Sequence, residues 1–171
     1  MYEFNTTEQN LGKANDFETK AMLYLMSFRA DSKNITIFFI DCFNDTTGAD
    51  DDILSLWDVQ AKNVSSLRPK TIGECLITLF QNYISEIDFF EYILFIPKLK
   101  ELYLNNEELL EFKVDNFKEN YKENIIIGLE TEYIRRNKDR VLKDSDLRIK
   151  IEEFIEIVMF VVGKKEKAIY I

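Results

Sequence analysis

Two short, dense apolar runs constrain the fold more than any other feature of the chain: NITIFFIDCF at 34–43 and FEYILFIP at 90–97. Both are crowded with β-branched and aromatic residues, and the second stops at a proline. Each therefore predicts a buried strand. An amphipathic stretch, NDFETKAMLYLMSFRAD, precedes the first run. In it Phe17, Ala21, Leu25 and Phe28 recur at helical spacing, with Asn15 or Asp16 placed to cap the start. A second helical pattern, RPKTIGECLITLFQNYIS, separates the two runs. It has Pro69 near its start, Thr71 as a candidate cap, and Ile72, Leu76, Leu79, Phe80 and Tyr83 on one face. NDTTGADDD at 44–52 predicts a polar turn, and ILSLW and DVQAKN after it predict a second and a third strand joined tightly. The order helix, three strands, helix, strand predicts an α/β fold with a mixed sheet flanked by helices.

From residue 98 the pattern becomes helical and charged. Helices are expected over residues 102–110, 116–136 and 144–162. For the last, Asp144 stands as cap, Leu147, Ile151, Ile155 and Val158 form the stripe, and Gly163 is the stop. KAIYI at the end adds a candidate edge strand. The expected organisation is a core over residues 1–100. A helical half over 101–171 either packs on that core or forms an oligomer or partner surface.

The sequence holds no histidine, which excludes Ser-His-Asp and Cys-His catalysis and His-containing zinc sites. Chemistry must then rest on carboxylates, Lys, Tyr, Cys or a bound metal. The net charge of −9 makes the mean field repel phosphates, so a nucleic-acid role needs a local basic patch, a metal or a partner. The basic clusters are YIRRNKDRVLK (133–143) and KKEK (164–167). They read as solvated faces or as a grip on backbone phosphates. Cys42 and Cys75 sit far apart in apolar runs and read as reduced, buried thiols of a cytoplasmic protein. MYEFNTTEQN has no basic region followed by an apolar one, as a secretory leader would. FIEIVMFVV is too short to cross a membrane.

The segment DVQAKN carries the chemistry. On a strand, Val59 and Ala61 point one way and Asp58, Gln60 and Lys62 the other. An ordinary edge strand with one solvated face has the same alternation. The acids of DDDI lie just upstream. If the two strands pair, Asp52 comes beside Gln60 and Lys62. An acid, a second oxygen donor and a lysine two residues on can hold one hard divalent cation and position one water. The acidic loop lacks the downstream Glu of an EF-hand, so calcium is set aside.

An early helix with Glu18 (DFETKAMLYL), then DDDI, then VQAK, a helix and the apolar strand YILFI resembles the PD-(D/E)xK nuclease superfamily. The QxK form is similar to Mrr-type restriction endonucleases and to the N-terminal nuclease domains of effectors in CBASS- and Lamassu-type anti-phage systems. The resemblance covers residues 13–97 and implies a restriction-endonuclease-like sheet. It implies that Asp52 binds metal, that Gln60 stands where Glu or Asp is commoner, and that Lys62 is the catalytic lysine. It further implies that Glu18 completes the metal shell, with the Ala61 carbonyl as another ligand and Gln81 in a lesser supporting role. Asp50, Asp51 and Asp52 are not ranked by sequence beyond the fact that Asp52 directly precedes the apolar strand. The implied function is a magnesium- or manganese-dependent DNA endonuclease in bacterial defence, acting as a homo-oligomer or in a larger complex. The alternative is a non-catalytic interaction subunit on the same scaffold, favoured by the net charge and the neutral Gln60.

Overall fold

The computed structural model describes residues 16–64, 66–138 and 142–163. Helix α1 spans residues 16–23 and continues as a π-helical turn, Tyr24–Phe28. Phe17, Ala21, Tyr24 and Leu25 are buried, as the stripe predicts. Phe28 is not, because the wider π turn advances through a smaller angle per residue and carries it off the stripe.

Six strands follow: β1 (Ile37–Ile40), β2 (Thr46–Ala49), β3 (Leu56–Ala61), β4 (Glu91–Ile96), β5 (Glu111–Phe112) and β6 (Met159–Val162). They form one mixed sheet in the order β1-β2-β3-β4-β6-β5. The pairs β1–β2, β2–β3 and β5–β6 are antiparallel; β3–β4 and β4–β6 are parallel. Parallel pairs require crossovers. The first is made by α2 (Pro69–Cys75) and α3 (Ile77–Tyr83), the second by α4 (Glu119–Arg136) and α5 (Asp144–Ile157). The expected mixed sheet flanked by helices is thus the architecture.

Side chains alternate across the sheet and make two cores. Trp57, Val59, Ala61, Ile93, Phe95 and Val161 pack under α1. Tyr92, Leu94, Ile96 and Phe160 meet α2 to α5 on the other face. On that second face β3 departs from its neighbours: Asp58 and Gln60, 0% and 3% exposed, lie among the apolar residues. The face expected to be polar is polar, but it is covered rather than solvated.

Several sequence expectations need correction. NDTTGADDD is not all turn, since Thr46–Ala49 is a fully buried strand whose backbone pairs on both sides. ILSLW and DVQAKN form one strand, Leu56–Ala61. β1 is an edge strand, and Ile40 is 66% exposed. Residues 102–110 form no helix; a 3-10 turn, Glu101–Tyr103, leads towards β5. The last helix ends at Ile157, where Val158 turns extended (φ −64°, ψ 132°), and the β-branched and aromatic residues after it form β6. Gly163 therefore follows a strand and not a helix. The half of the chain after residue 100 supplies β5 and β6 to the sheet and shares one core with α2 and α3. Both cysteines are free thiols, but Cys42 is exposed and Cys75 half-buried. The strand proposed for KAIYI lies outside the described residues. Among the described residues no helix is long and apolar enough to cross a membrane.

One close crossing sets the geometry of the site. A Cβ on Gly73 of α2 would lie 2.0 Å from the Ile125 carbonyl oxygen; one on Gly128 of α4 would lie 2.1 Å from that of Lys70. The two helices touch backbone to backbone, which only glycine permits at both positions. This contact carries the last turn of α4 towards the end of β3.

Candidate functional site

β3 delivers Gln60 and Ala61 at its C-terminal end, and Lys62 follows directly. The Lys62 N–H donates to Phe95 O at 2.9 Å, extending the pairing with β4. Along β3 the N–H groups alternate sides. Ala61 therefore turns its N–H, and with it its carbonyl, away from β4. That N–H donates to Asp45 Oδ2 at 2.7 Å. The Gln60 side-chain Nε2 donates to the same oxygen. Asp45 immediately precedes β2, and since Thr46 pairs with Val59, Asp45 stands opposite Gln60. The Gln60 Oε1 accepts a 2.6 Å bond from the Thr78 hydroxyl of α3. The amide thus bridges α3 to the acid.

The turn carrying Asp45 is anchored from beneath. Asn44 donates to both oxygens of Asp58 (2.9 and 2.8 Å), and Asn82 of α3 donates to Oδ2 at 2.7 Å. Burial pushes the Asp58 carboxyl up to about 6, although both asparagines favour its charged form. This clamp holds Asn44, and through it Asp45, against β3. The turn is tight enough to put Asp41 in the left-handed region (φ 55°), which a short polar side chain tolerates.

Glu18, on the first turns of α1, reaches the same end of the sheet. Its carboxyl is held above the usual range first by partial burial, then by the negative charges of Asp45 and Asp41, with Lys62 opposing. The negative charges of Asp45 and Asp41 thus act on Glu18 in the same direction as its burial. Of the set named from sequence, the structure thus brings Gln60, Ala61 and Lys62 together around an acid that is not Asp52, with Glu18 near enough to feel the charges of Asp45 and Lys62. Asp52 lies in the exposed turn between β2 and β3, beyond the Ala49–Leu56 pair. That is four residues along β3 from Gln60, roughly 14 Å at strand rise. Its neighbour Asp50 accepts from the Leu54 and Ser55 N–H groups (2.8 and 3.1 Å), so DDD is turn chemistry. From α3 it is Thr78 and Asn82, not Gln81, that reach the polar face of β3.

Asp45 directly precedes the β-branched pair Thr46–Thr47 as Asp52 precedes ILSLW, and that pattern alone does not choose between the two acids. Asp58 shares the strand face of Gln60 and Lys62 in the sequence, whereas Asn44, Asn82 and Thr78 carried no signal.

Among the described residues no three acidic, cysteine or histidine side chains stand together at metal-ligand spacing. The oxygen donors at this end are the carboxylates of Glu18 and Asp45, the Ala61 carbonyl and, after a half-turn of its amide, Gln60 Oε1. That set is all oxygen and suits a hard cation of the magnesium type. The half-turn leaves Gln60 satisfied, because the Thr78 hydroxyl can accept from Nε2 as readily as it donates to Oε1.

Gln60 and Lys62 open onto a cleft of about 370 Å³. Thr71, Cys75 and Thr78 line one side and Glu132, Arg135 and Arg136 of α4 the other. Compared with known proteins, the chain matches no protein-family model, no curated protein and no solved structure.

Proposed function

We propose that the chain is a metal-dependent DNA endonuclease of the PD-(D/E)xK kind, with Glu18, Asp45, Gln60 and Lys62 as its working residues. The reading is supported above all by one observation: Asp45 meets Gln60 and Ala61, and Gln60 lines one cleft with Lys62. Asp45 takes the part that the sequence pattern assigned to Asp52. Asp45, Glu18, the Ala61 carbonyl and Gln60 Oε1 would hold magnesium or manganese. Bound there, such an ion would acidify a coordinated water and offset charge on a phosphate. The ammonium of Lys62 orients the attacking water and stabilises negative charge that grows on the phosphate oxygens. Asp58, through Asn44, keeps Asp45 in place. The setting the resemblance implies is cytoplasmic anti-phage defence, with two copies or a larger assembly needed to cut both strands.

The test is plasmid cleavage with and without magnesium, by the wild type and by Lys62→Ala. Magnesium-dependent nicking lost in the variant supports the reading; equal cleavage by both would remove Lys62 from the chemistry.

A second reading, a non-catalytic interaction module, is favoured by the Gln60 Nε2 contact, which fills the acceptor of Asp45 that a cation would need. Thermal unfolding with magnesium or manganese separates the two. A site occupied at ten times its dissociation constant adds about 1.4 kcal/mol, and a scaffold without a site adds nothing.

A further inference from the structure

We infer that Arg135 and Arg136, held by Glu132, form a grip on the DNA backbone across the cleft from Gln60 and Lys62. The inference rests on the nuclease reading and names how its substrate is seated. Arginines in the last turn of any helix interact favourably with its dipole. Two observations set this pair apart. First, both line the same cleft as Gln60 and Lys62, brought there by the Gly73–Gly128 crossing. Second, a single carboxylate orients them. Glu132, only 9% exposed, accepts from Arg135 Nε and Nη2 at 2.7 Å each and from Arg136 Nε at 2.6 Å. The two guanidiniums, Arg135 foremost, hold its carboxyl down to about 2.

Each guanidinium has five N–H donors, of which Glu132 engages two on Arg135 and one on Arg136. The pair is thus a pre-oriented double fork, the geometry that matches phosphate oxygens. The charged groups lining the cleft itself are Lys62, Arg135 and Arg136 against Glu74 and Glu132, a surplus of one positive charge, three against two, set across from the carboxylates of the cation site, in a chain of net charge −9. A nuclease with so acidic a surface needs such an island, or its field would repel the strand it cuts. The phosphates gripped are those flanking the one presented to Lys62.

The experiment measures binding of a short fluorescein-labelled DNA duplex in EDTA, by anisotropy, between about 50 and 200 mM salt. Replacing the arginines alone would strand Glu132 as an unpaired buried charge, so the informative variant is Glu132→Gln/Arg135→Gln/Arg136→Gln. Two lost phosphate contacts should flatten the salt dependence by about 1.8 in log–log slope. Arg135→Lys/Arg136→Lys, which keeps the charge, should restore the slope with weaker binding. An unchanged slope in a triple variant that still unfolds cooperatively, or no duplex binding by the wild type across the range, overturns the grip. Stabilisation by magnesium, followed on the same proteins, reports the Asp45 site separately. Its absence in the wild type would count against the nuclease reading, whereas its persistence with an unaltered salt slope would remove the grip alone.

Discussion

Raising the pH from about 4 to about 7 should weaken the folded protein by roughly 2 kcal/mol through Asp58 alone. The side chain is fully buried on β3, and its carboxyl titrates near 6 in place of its ordinary 3.8. That gap is worth roughly 3 kcal/mol at about 1.4 kcal/mol per tenfold change. The sign follows from proton counting. The folded state holds this proton more tightly than the unfolded chain, so the stabilisation is complete below 3.8 and is lost as pH rises through about 6. Other acids titrate in the same window, so the informative quantity is a difference between wild type and Asp58→Asn. An asparagine carries no charge, and Asn44 can turn its amide to accept from it. Urea unfolding in EDTA, followed by the fluorescence of Trp57, gives both curves. Trp57 is the sole tryptophan, 2% exposed and adjacent to Asp58. The wild type should gain about 2 kcal/mol of the full ~3 kcal/mol relative to the variant between pH 7 and pH 4, most of it in the lower part of that range. A difference that stays flat across the range refutes the argument and implies that Asp58 is solvated or paired with a cation.

Gly128→Ala should destabilise the protein by about 3 kcal/mol or more. In an isolated helix the same change would stabilise by about 1 kcal/mol, so the sign alone decides whether α2 and α4 touch backbone to backbone. Chemical denaturation measures it, and an unchanged or raised midpoint removes the close crossing. Ile53 adopts φ 56° in the exposed turn between β2 and β3. For a β-branched residue this costs about 1–2 kcal/mol, so Ile53→Gly should raise stability by about 1 kcal/mol net of glycine's greater freedom when unfolded. A lower melting temperature would show that the turn is not strained there.

The parts of the fold legible in the sequence are those where local pattern and tertiary role agree. Phe17, Ala21 and Leu25 keep their stripe because α1 packs on only one sheet face, and YILFI reads as buried because β4 is covered on both sides. The illegible parts are those where tertiary context prevails. Thr46–Ala49 looks like turn in composition, yet it becomes a central strand because β1 and β3 flank it and complete its backbone pairing. VMFVV reads as the end of a helix until β4 offers it a parallel partner. The site divides the same way. Gln60 and Lys62 follow from alternation along one strand. Asp45 depends on which end of the hairpin meets the C-terminus of β3, a register that local pattern does not contain. The asparagines around Asp58 matter only because α3 lies over β3, which no spacing in the sequence announces.

The central claim is that Asp45, and not Asp52, completes the cation site with Gln60. Magnesium-dependent stabilisation measured by thermal unfolding of Asp45→Asn and Asp52→Asn side by side tests it directly. The account predicts that Asp52→Asn gains the same magnesium stabilisation as the wild type, about 1.4 kcal/mol at ten times the dissociation constant, and that Asp45→Asn gains none. Loss of the effect in Asp52→Asn with its retention in Asp45→Asn would contradict the account.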